Sequence, residues 1–297
     1  MISSVFAAVR REGRAALIPY VTAGHPAADS TLPLLHALAD AGADVIELGI
    51  PFSDPLADGP TIQRSSFRSL QNGTRLDGVL ADLSRFRSGR DTPVVIFTYL
   101  NPVLRFGVDR FLEAASEAGA NGLLLTDLPL GADLDLEKAV AGSSLDFIRL
   151  VAPTTEAHRI PDIARGGSGF LYYISRTGVT GVRSELRGGL AAEVEALREA
   201  VGLPVSVGFG ISTPQQAREV GAVADGVVVG SALVEILDQD GLEAGAAFVR
   251  ELRLALDRST YDPSGPGGFF GGELIKKGLI RRDEEGLNPI RDNRPRG

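Results

Sequence analysis

The sequence predicts a single (β/α)8 barrel with an extra N-terminal helix and a C-terminal tail. Two observations carry this. Eight short, near-continuously apolar runs recur along the chain, with helix-patterned segments between them. Unbroken hydrophobicity marks parallel strands covered on both faces, and eight strand–helix units within ~250 residues suit a closed barrel. The same alternation also permits a doubly wound open sheet, which stays open as the alternative.

In chain order, residues 1–11 are an extra N-terminal helix candidate. The β-branched or leucine-rich runs at 16–22, 43–48, 93–99, 122–127, 147–151, 169–175, 204–208 and 226–230 are the strands. Between them, helical patterning covers 30–41, then 61–70 with 76–86, 109–117, 133–140, 156–164, 186–201, 214–221, and 232–237 with 242–258. Asp29-Ser30 and Ser212-Thr213-Pro214 are helix-start signals: a side-chain oxygen for the free N–H groups and, in the second, a proline in the first turn. No domain boundary interrupts residues 1–258. Beyond them, 259–272 is rich in Gly and Pro and 273–297 is crowded with charges of both signs. This segment is expected to be a flexible tail, with docking of 272–279 on the barrel or a partner as the alternative.

Composition excludes several function classes. Of 297 residues, 44% are hydrophobic and 23% charged, enough for a large core. A net charge of −8 disfavours nucleic acid as the main partner, because phosphate neutralisation needs a basic face. With no cysteine, there are no disulfides, thiolate nucleophiles or thiolate metal sites. His25, His36 and His158 have no metal-type spacing, so no metal is expected. No apolar run reaches the ~18 residues of a membrane span. The N-terminal apolar residues precede the basic ones, the reverse of a signal peptide. A soluble, cytoplasmic protein is expected.

The most informative segment is ELGIPFSDPLADGPTIQ, from Glu47 to Gln63. An apolar strand carries Glu47 into a loop stiffened by Pro51, Pro55 and Pro60, with Asp54 and Asp58 in that loop. A carboxylate amid Val45, Ile46, Leu48 and Ile50 costs free energy unless a task uses it. In apolar surroundings such a group gains a raised pKa and can act as a general acid, while one in a polar loop stays ionised and stabilises positive charge. Ordinary turn chemistry is the alternative for Asp54 and Asp58.

Two glycine-rich turns follow strands seven and eight: Gly208-Phe209-Gly210-Ile211-Ser212, and Gly230-Ser231-Ala232, which opens a helix. Glycine lets an anion approach backbone N–H groups closely, and these two loops are the usual phosphate site of such barrels. After strand six, Ser175-Arg176-Thr177-Gly178-Val179-Thr180-Gly181 has the small, hydroxyl-bearing composition of a closing lid, and Gly181 is placed to extend the phosphate cradle. Tyr172 on strand six points to the barrel mouth or the core; Tyr173, next to it, must face the other way. Tyr20, Phe97, Tyr99, Leu125 and Leu150 are read as core first and pocket lining second. His25 is read as a surface loop residue.

Taken in order from about Phe6 to about Leu256, these segments resemble the tryptophan synthase alpha chain, most specifically through PFSDPLADGPTIQ. The resemblance implies a barrel that cleaves indole-3-glycerol phosphate, a small phosphate ester, into indole and glyceraldehyde 3-phosphate. It implies catalytic roles for Glu47 and Asp58, phosphate contacts from Gly181, Gly210, Gly230 and Ser231, and active-site positions for Tyr172 and Thr180. Pro51, Asp54, Pro55 and Asn101 fall at the contact with a beta chain, in an expected alpha2-beta2 heterotetramer. This chain is expected to need no cofactor; pyridoxal phosphate belongs to the beta chain. The family usually has aspartate where His25 stands, which leaves that position without a role, and the tail receives none either. Two rivals remain: another phosphate-binding barrel, such as a sugar-phosphate isomerase, which leaves the proline-rich loop unexplained, and a partner-binding scaffold, against which the intact Glu47 and Asp58 speak.

Overall fold

Eight parallel strands follow one another around a closed barrel: β1 (Ala16–Thr22), β2 (Ile46–Gly49), β3 (Val94–Thr98), β4 (Gly122–Leu125), β5 (Asp146–Val151), β6 (Leu171–Ile174), β7 (Val205–Gly208) and β8 (Gly226–Val229), with β8 closing onto β1. The computed structural model describes residues 1–175, 183–208 and 210–257, with the backbone alone for 183–188, and the backbone of 280–283 and 286–289. Helices wrap the barrel: α1 (Ile2–Arg11), α2 (Thr31–Asp40), α3 (Pro60–Gln71), α4 (Leu76–Arg87), α5 (Leu100–Phe106), α6 (Val108–Glu117), α7 (Leu134–Ala141), α8 (Ile160–Arg165), α9 (Arg183–Val201), α10 (Pro214–Gly221), α11 (Ser231–Gln239) and α12 (Gly241–Asp257).

Alternation along the strands makes two hydrophobic layers. Outward residues such as Leu17, Ile46, Leu48, Ile96 and Val207 pack against the helices. Inward residues Ala16, Ile18, Val45, Val95, Leu124, Ile148 and Val228 fill the barrel. Their lower end is sealed by Ile2, Phe6 and Val9 of α1, whose Phe6 ring lies 5.5 Å from Phe170. The lower interior is therefore a packed, largely apolar plug, with Ser206 as a buried polar side chain within it.

The lower rim carries a device repeated four times. Asp44, Asn121, Ser168 and Asp225 stand before β2, β4, β6 and β8. Each accepts, through its side chain, the N–H of one residue of the preceding strand: Leu17 (2.8 Å), Val94 (3.0 Å), Phe147 (2.9 Å) and Val205 (2.9 Å). Each also donates its own N–H to that same residue's carbonyl, at 2.9, 2.8, 2.9 and 2.9 Å. These reciprocal clips join β1 to β2, β3 to β4, β5 to β6 and β7 to β8. Two are reinforced by arginines: Arg14 and Arg253 on Asp44, and Arg10 and Arg198 on Asp225.

The predicted elements are found with shifted ends, most strands shorter and several helices longer than predicted. The second strand begins at Ile46 rather than at residue 43, because Asp44 is committed to its clip. The segment predicted as a helix over 156–164 is a short 3-10 turn, Ala157–Arg159, leading into α8. Helix α5 was not predicted. Its Asn101-Pro102 pair reads as a breaker, yet proline is tolerated in a first turn, and Asp127, from beyond β4, accepts the Leu100 N–H at 2.7 Å. Beyond 258, the described backbone is an antiparallel pair, β9 (Ile280–Asp283) and β10 (Gly286–Pro289). The segment 272–279, considered above for docking, lies outside the described residues.

Candidate active site

Glu47 is the centre of the barrel mouth. Ile46 and Leu48 pack outward and Val45 packs inward, so strand alternation turns Glu47 into the barrel above the apolar plug. It is 1% exposed, and its Oε1 has no hydrogen-bond partner. Burial alone pushes its pKa up to about 8, since a low-dielectric setting disfavours the charged form. At neutral pH this carboxyl holds its proton.

Asp58 arrives from the loop joining β2 to α3. That loop is anchored at both ends. At its start, Phe52 N–H donates to Ser66 Oγ at 2.7 Å, and Ser66 donates back to the Phe52 carbonyl at 2.9 Å. At its end, the Tyr99 hydroxyl accepts the Ala57 N–H at 3.1 Å, and Gln63 Nε2 donates to the Asp58 carbonyl at 3.0 Å. The Asp58 carboxyl is half-buried. Burial pushes its pKa up to about 6, and a hydrogen bond from Tyr99 pulls it back down. At neutral pH it is ionised while Glu47 is not.

Three tyrosines surround the pair. Tyr20 pairs in register with Glu47 across β1 and β2. Burial raises the pKa of Tyr20 and Tyr172, and the charges of both carboxylates raise it further. Space for these rings comes from two strand-end glycines. A Cβ on Gly49 would stand 2.1 Å from the Tyr20 hydroxyl, and one on Gly208 would stand 2.3 Å from the Tyr172 hydroxyl. Tyr172 thus points into the mouth, while Tyr173 faces outward and donates to Glu193 at 2.7 Å. Phe97 meets Tyr20 edge-on at 5.1 Å, and Leu150 lines the interior. Leu125, by contrast, belongs to the outer layer.

Gly230 precedes α11, whose N-terminus has no side-chain cap, and Ser231 opens the helix exposed. The free N–H groups of such an end favour an anion. Gly210, exposed with φ +77°, turns the chain after β7 in a conformation that L side chains rarely adopt. Thr180 and Gly181 lie outside the described residues, as do Phe209 and most of the expected lid.

The tip of the loop after β2 is exposed at Ser53, Asp54, Leu56 and Ala57; Pro51 is buried at its base, and Pro55 is partly covered. Leu56 is 91% exposed. Asn101, also exposed, lies on α5 with Leu104. His25 departs from the reading as a surface loop residue. It is buried, with Nε2 3.4 Å from Asp238 of α11, and Asp238 also pairs with Arg68 of α3. Burial lowers the His25 pKa, so at neutral pH its imidazole is uncharged. Among the described residues, no group of three or more His, Cys, Asp or Glu side chains could hold a metal ion.

The role of Tyr99 as partner of Asp58 was not foreseen. Its sequence signal, an aromatic at the end of strand three, does not say which loop it meets. Gly49 and Gly208 were likewise missed as tyrosine seats, because the rings that need the space come from the neighbouring strand.

A closed barrel whose mouth holds one protonated and one ionised carboxyl defines a class, the acid–base barrel enzymes. A family model described as the tryptophan synthase alpha chain matches residues 6–258. The chain belongs to the tryptophan synthase alpha chain family. Its relatives include the tryptophan synthase alpha chain of Synechococcus elongatus, 50% identical over 258 residues that cover 86% of this chain and 97% of that one. The alpha chain of Aromatoleum aromaticum is 48% identical over 262 residues, covering 86% and 97%. Among solved structures, Mycobacterium tuberculosis tryptophan synthase superposes with a TM-score of 0.79 at 37% identity, covering 86% of this chain and 98% of that chain. Tryptophan synthase subunit alpha of Legionella pneumophila gives 0.79 at 38% identity, covering 86% and 98%.

Proposed function

We propose that this chain cleaves indole-3-glycerol phosphate by a retro-aldol reaction, with Glu47 as the acid–base group and Asp58 as the electrostatic partner. The observation that carries the reading is the buried Glu47 carboxyl, its Oε1 without a hydrogen-bond partner, protonated at neutral pH while Asp58 is ionised. Glu47 delivers its proton to indole C3. The ring nitrogen becomes cationic, and the Asp58 carboxylate stabilises its N–H. The bond from C3 to the glycerol carbon breaks, its electron pair returning to the ring. The hydroxyl on that carbon becomes the aldehyde, and its proton passes to the carboxylate now on Glu47. The cycle therefore closes with Glu47 reprotonated, which suits a group whose pKa lies near 8. Tyr172 lines the indole pocket. The backbone at Gly181, Gly210, Gly230 and Ser231 holds the phosphate, whose binding energy positions the reacting carbon. Thr180 belongs to the lid that closes over it.

Indole then passes to a beta chain, in an alpha2-beta2 assembly, for tryptophan synthesis. Asp54, Pro55 and Asn101 face that partner, while Pro51, expected there as well, is buried at the base of the loop and supports it from behind. The exposed apolar side chains Leu56, Leu104 and Leu134, which follow the adjacent strands β2, β3 and β4, support this reading. This chain works without a cofactor of its own. The setting is the cytoplasm, in keeping with the lack, among the described residues, of any helix long and apolar enough to cross a membrane. Indole release from indole-3-glycerol phosphate by the purified chain, measured with and without a beta chain, tests the proposal. Absence of release under both conditions overturns it.

A further inference from the structure

We propose that Tyr99 is the positioning residue of the site, holding Asp58 in register with Glu47 and joining it mechanically to the exposed tip of the loop after β2. The inference rests on the lyase reading above and deepens it.

Tyr99 follows the last residue of β3, is 4% exposed, and is the residue from which α5 starts. Its hydroxyl accepts the Ala57 N–H at 3.1 Å, which places it beside the Asp58 carboxyl, whose charged form it favours. Its ring packs against Phe52, with centroids 5.2 Å apart and planes at 33°. Phe52 is the other anchor of the loop, through Ser66. A single side chain on the barrel wall thus touches both ends of the segment whose tip, Ser53 to Leu56, stands in solvent. Displacing that tip moves Phe52 and Ala57 against the same ring. Asp58 lies one residue further on.

Tyr99 bears on chemistry as well as geometry. Tyr20 on β1 and Tyr172 on β6 also lie in the field of Asp58. Tyr99 is the side chain that favours the charge of Asp58. Without it, the carboxylate keeps its burial and loses the group that favours its charge. Among the described residues, no hydrogen bond or ring contact joins Tyr99 to Glu47, Gly210, Gly230 or Ser231, so Tyr99→Phe is expected to spare substrate anchoring and the acid.

The test is Tyr99→Phe in the full chain, assayed for cleavage across pH with and without the beta chain, beside the wild type. The inference expects kcat at pH 7 to fall roughly tenfold, with KM changing less than about twofold. It expects the acid limb of kcat/KM to move up by about half a unit or more, with the alkaline limb unmoved. The pH dependence of binding a non-cleavable indole phosphate ester, read by equilibrium titration, should show the same shift on its acid side. A wild type that cleaves, with a variant whose acid limb and kcat superimpose on it, overturns the inference and leaves the lyase reading standing. A variant that loses melting temperature and activity at unchanged limbs also overturns it, by making Tyr99 merely structural. A wild type that cleaves at no pH removes both.

Discussion

Glu47 is protonated and Asp58 ionised for a physical reason that differs between them: one is sealed in a strand with no partner, the other is half-buried with a hydrogen-bonding tyrosine. Cleavage should therefore follow a bell-shaped pH profile, with kcat/KM falling below about 6 as Asp58 is protonated and above about 8 as Glu47 ionises. Glu47→Gln should keep the fold and lower kcat by at least about a hundredfold; turnover near that of the wild type would exclude Glu47 as the acid. Stability should move the other way. The native state holds the Glu47 proton between its ordinary value of 4.5 and about 8, so this group's contribution is intact at low pH and declines as pH rises through that window. Glu47→Leu should accordingly raise stability at pH 8, by roughly 2–5 kcal/mol as a ceiling, and the gain should shrink toward pH 5. Denaturant unfolding at the two pH values reads both. A residue that is costly to keep in the resting protein and essential to turnover has the profile of a functional group, and at Glu47 that cost was visible in the sequence as one charge within an apolar run.

At the scale of elements, strand ends and loops divide the labour. Gly208 exists to seat Tyr172, so Gly208→Ala should push the ring out of the mouth, because its Cβ would meet the hydroxyl at 2.3 Å. Overpacking of this kind costs typically 1–3 kcal/mol. Cleavage should fall more than tenfold while phosphate binding at the α11 N-terminus, as proposed, is kept. Isothermal titration with glycerol phosphate separates the two effects, and a variant that keeps full cleavage would deny Tyr172 its place at the indole. Helix α1 is the other element with a defined task. Phe6→Ala should cost about 3–4 kcal/mol by opening a void against Phe170, a loss read from the unfolding midpoint. The strands, most helices and the two carboxylates were legible because local patterning encodes them. Helix α5 was not, since its N-terminus is held by Asp127, beyond the next strand. The burial of His25 was not, since its partner Asp238 is near the other end of the chain. Tyr99 was noticed only as an aromatic on a strand, because its role is a relation between that strand and a loop.

The whole molecule has two faces with different duties. The residues proposed to work on substrate stand at the C-terminal ends of strands, and the apolar side chains left in solvent after β2, β3 and β4 (Leu56 on a loop, Leu104 on α5 and Leu134 at the start of α7) share that side. Leu56→Glu should then weaken association with a beta chain by at least about tenfold while leaving the chain's own cleavage within twofold, as measured by titration and by indole release. Equal affinity would remove Leu56 from the interface. The tail from 259 onward lies outside the family match, which ends at 258. Truncation there should leave cleavage and partner binding largely intact.

The lower rim has a consequence of its own. Its four clips tie strands in pairs, one with two, three with four, five with six and seven with eight, and none spans the seams between pairs. The barrel is thus laced like a garment in four panels, although Asp, Asn, Ser and Asp at the lacing points leave no repeat that sequence comparison of the panels would find. A break in the 142–145 turn between α7 and β5 divides the chain into halves that each keep two complete laces. A break at 118–120, ahead of Asn121, parts a laced pair. Co-expressed fragments cut at the first seam should reassemble into an active barrel, and those cut at the second should do so poorly. Equal recovery from both cuts would mean that the rim contributes bonds to the finished barrel but no order to its assembly.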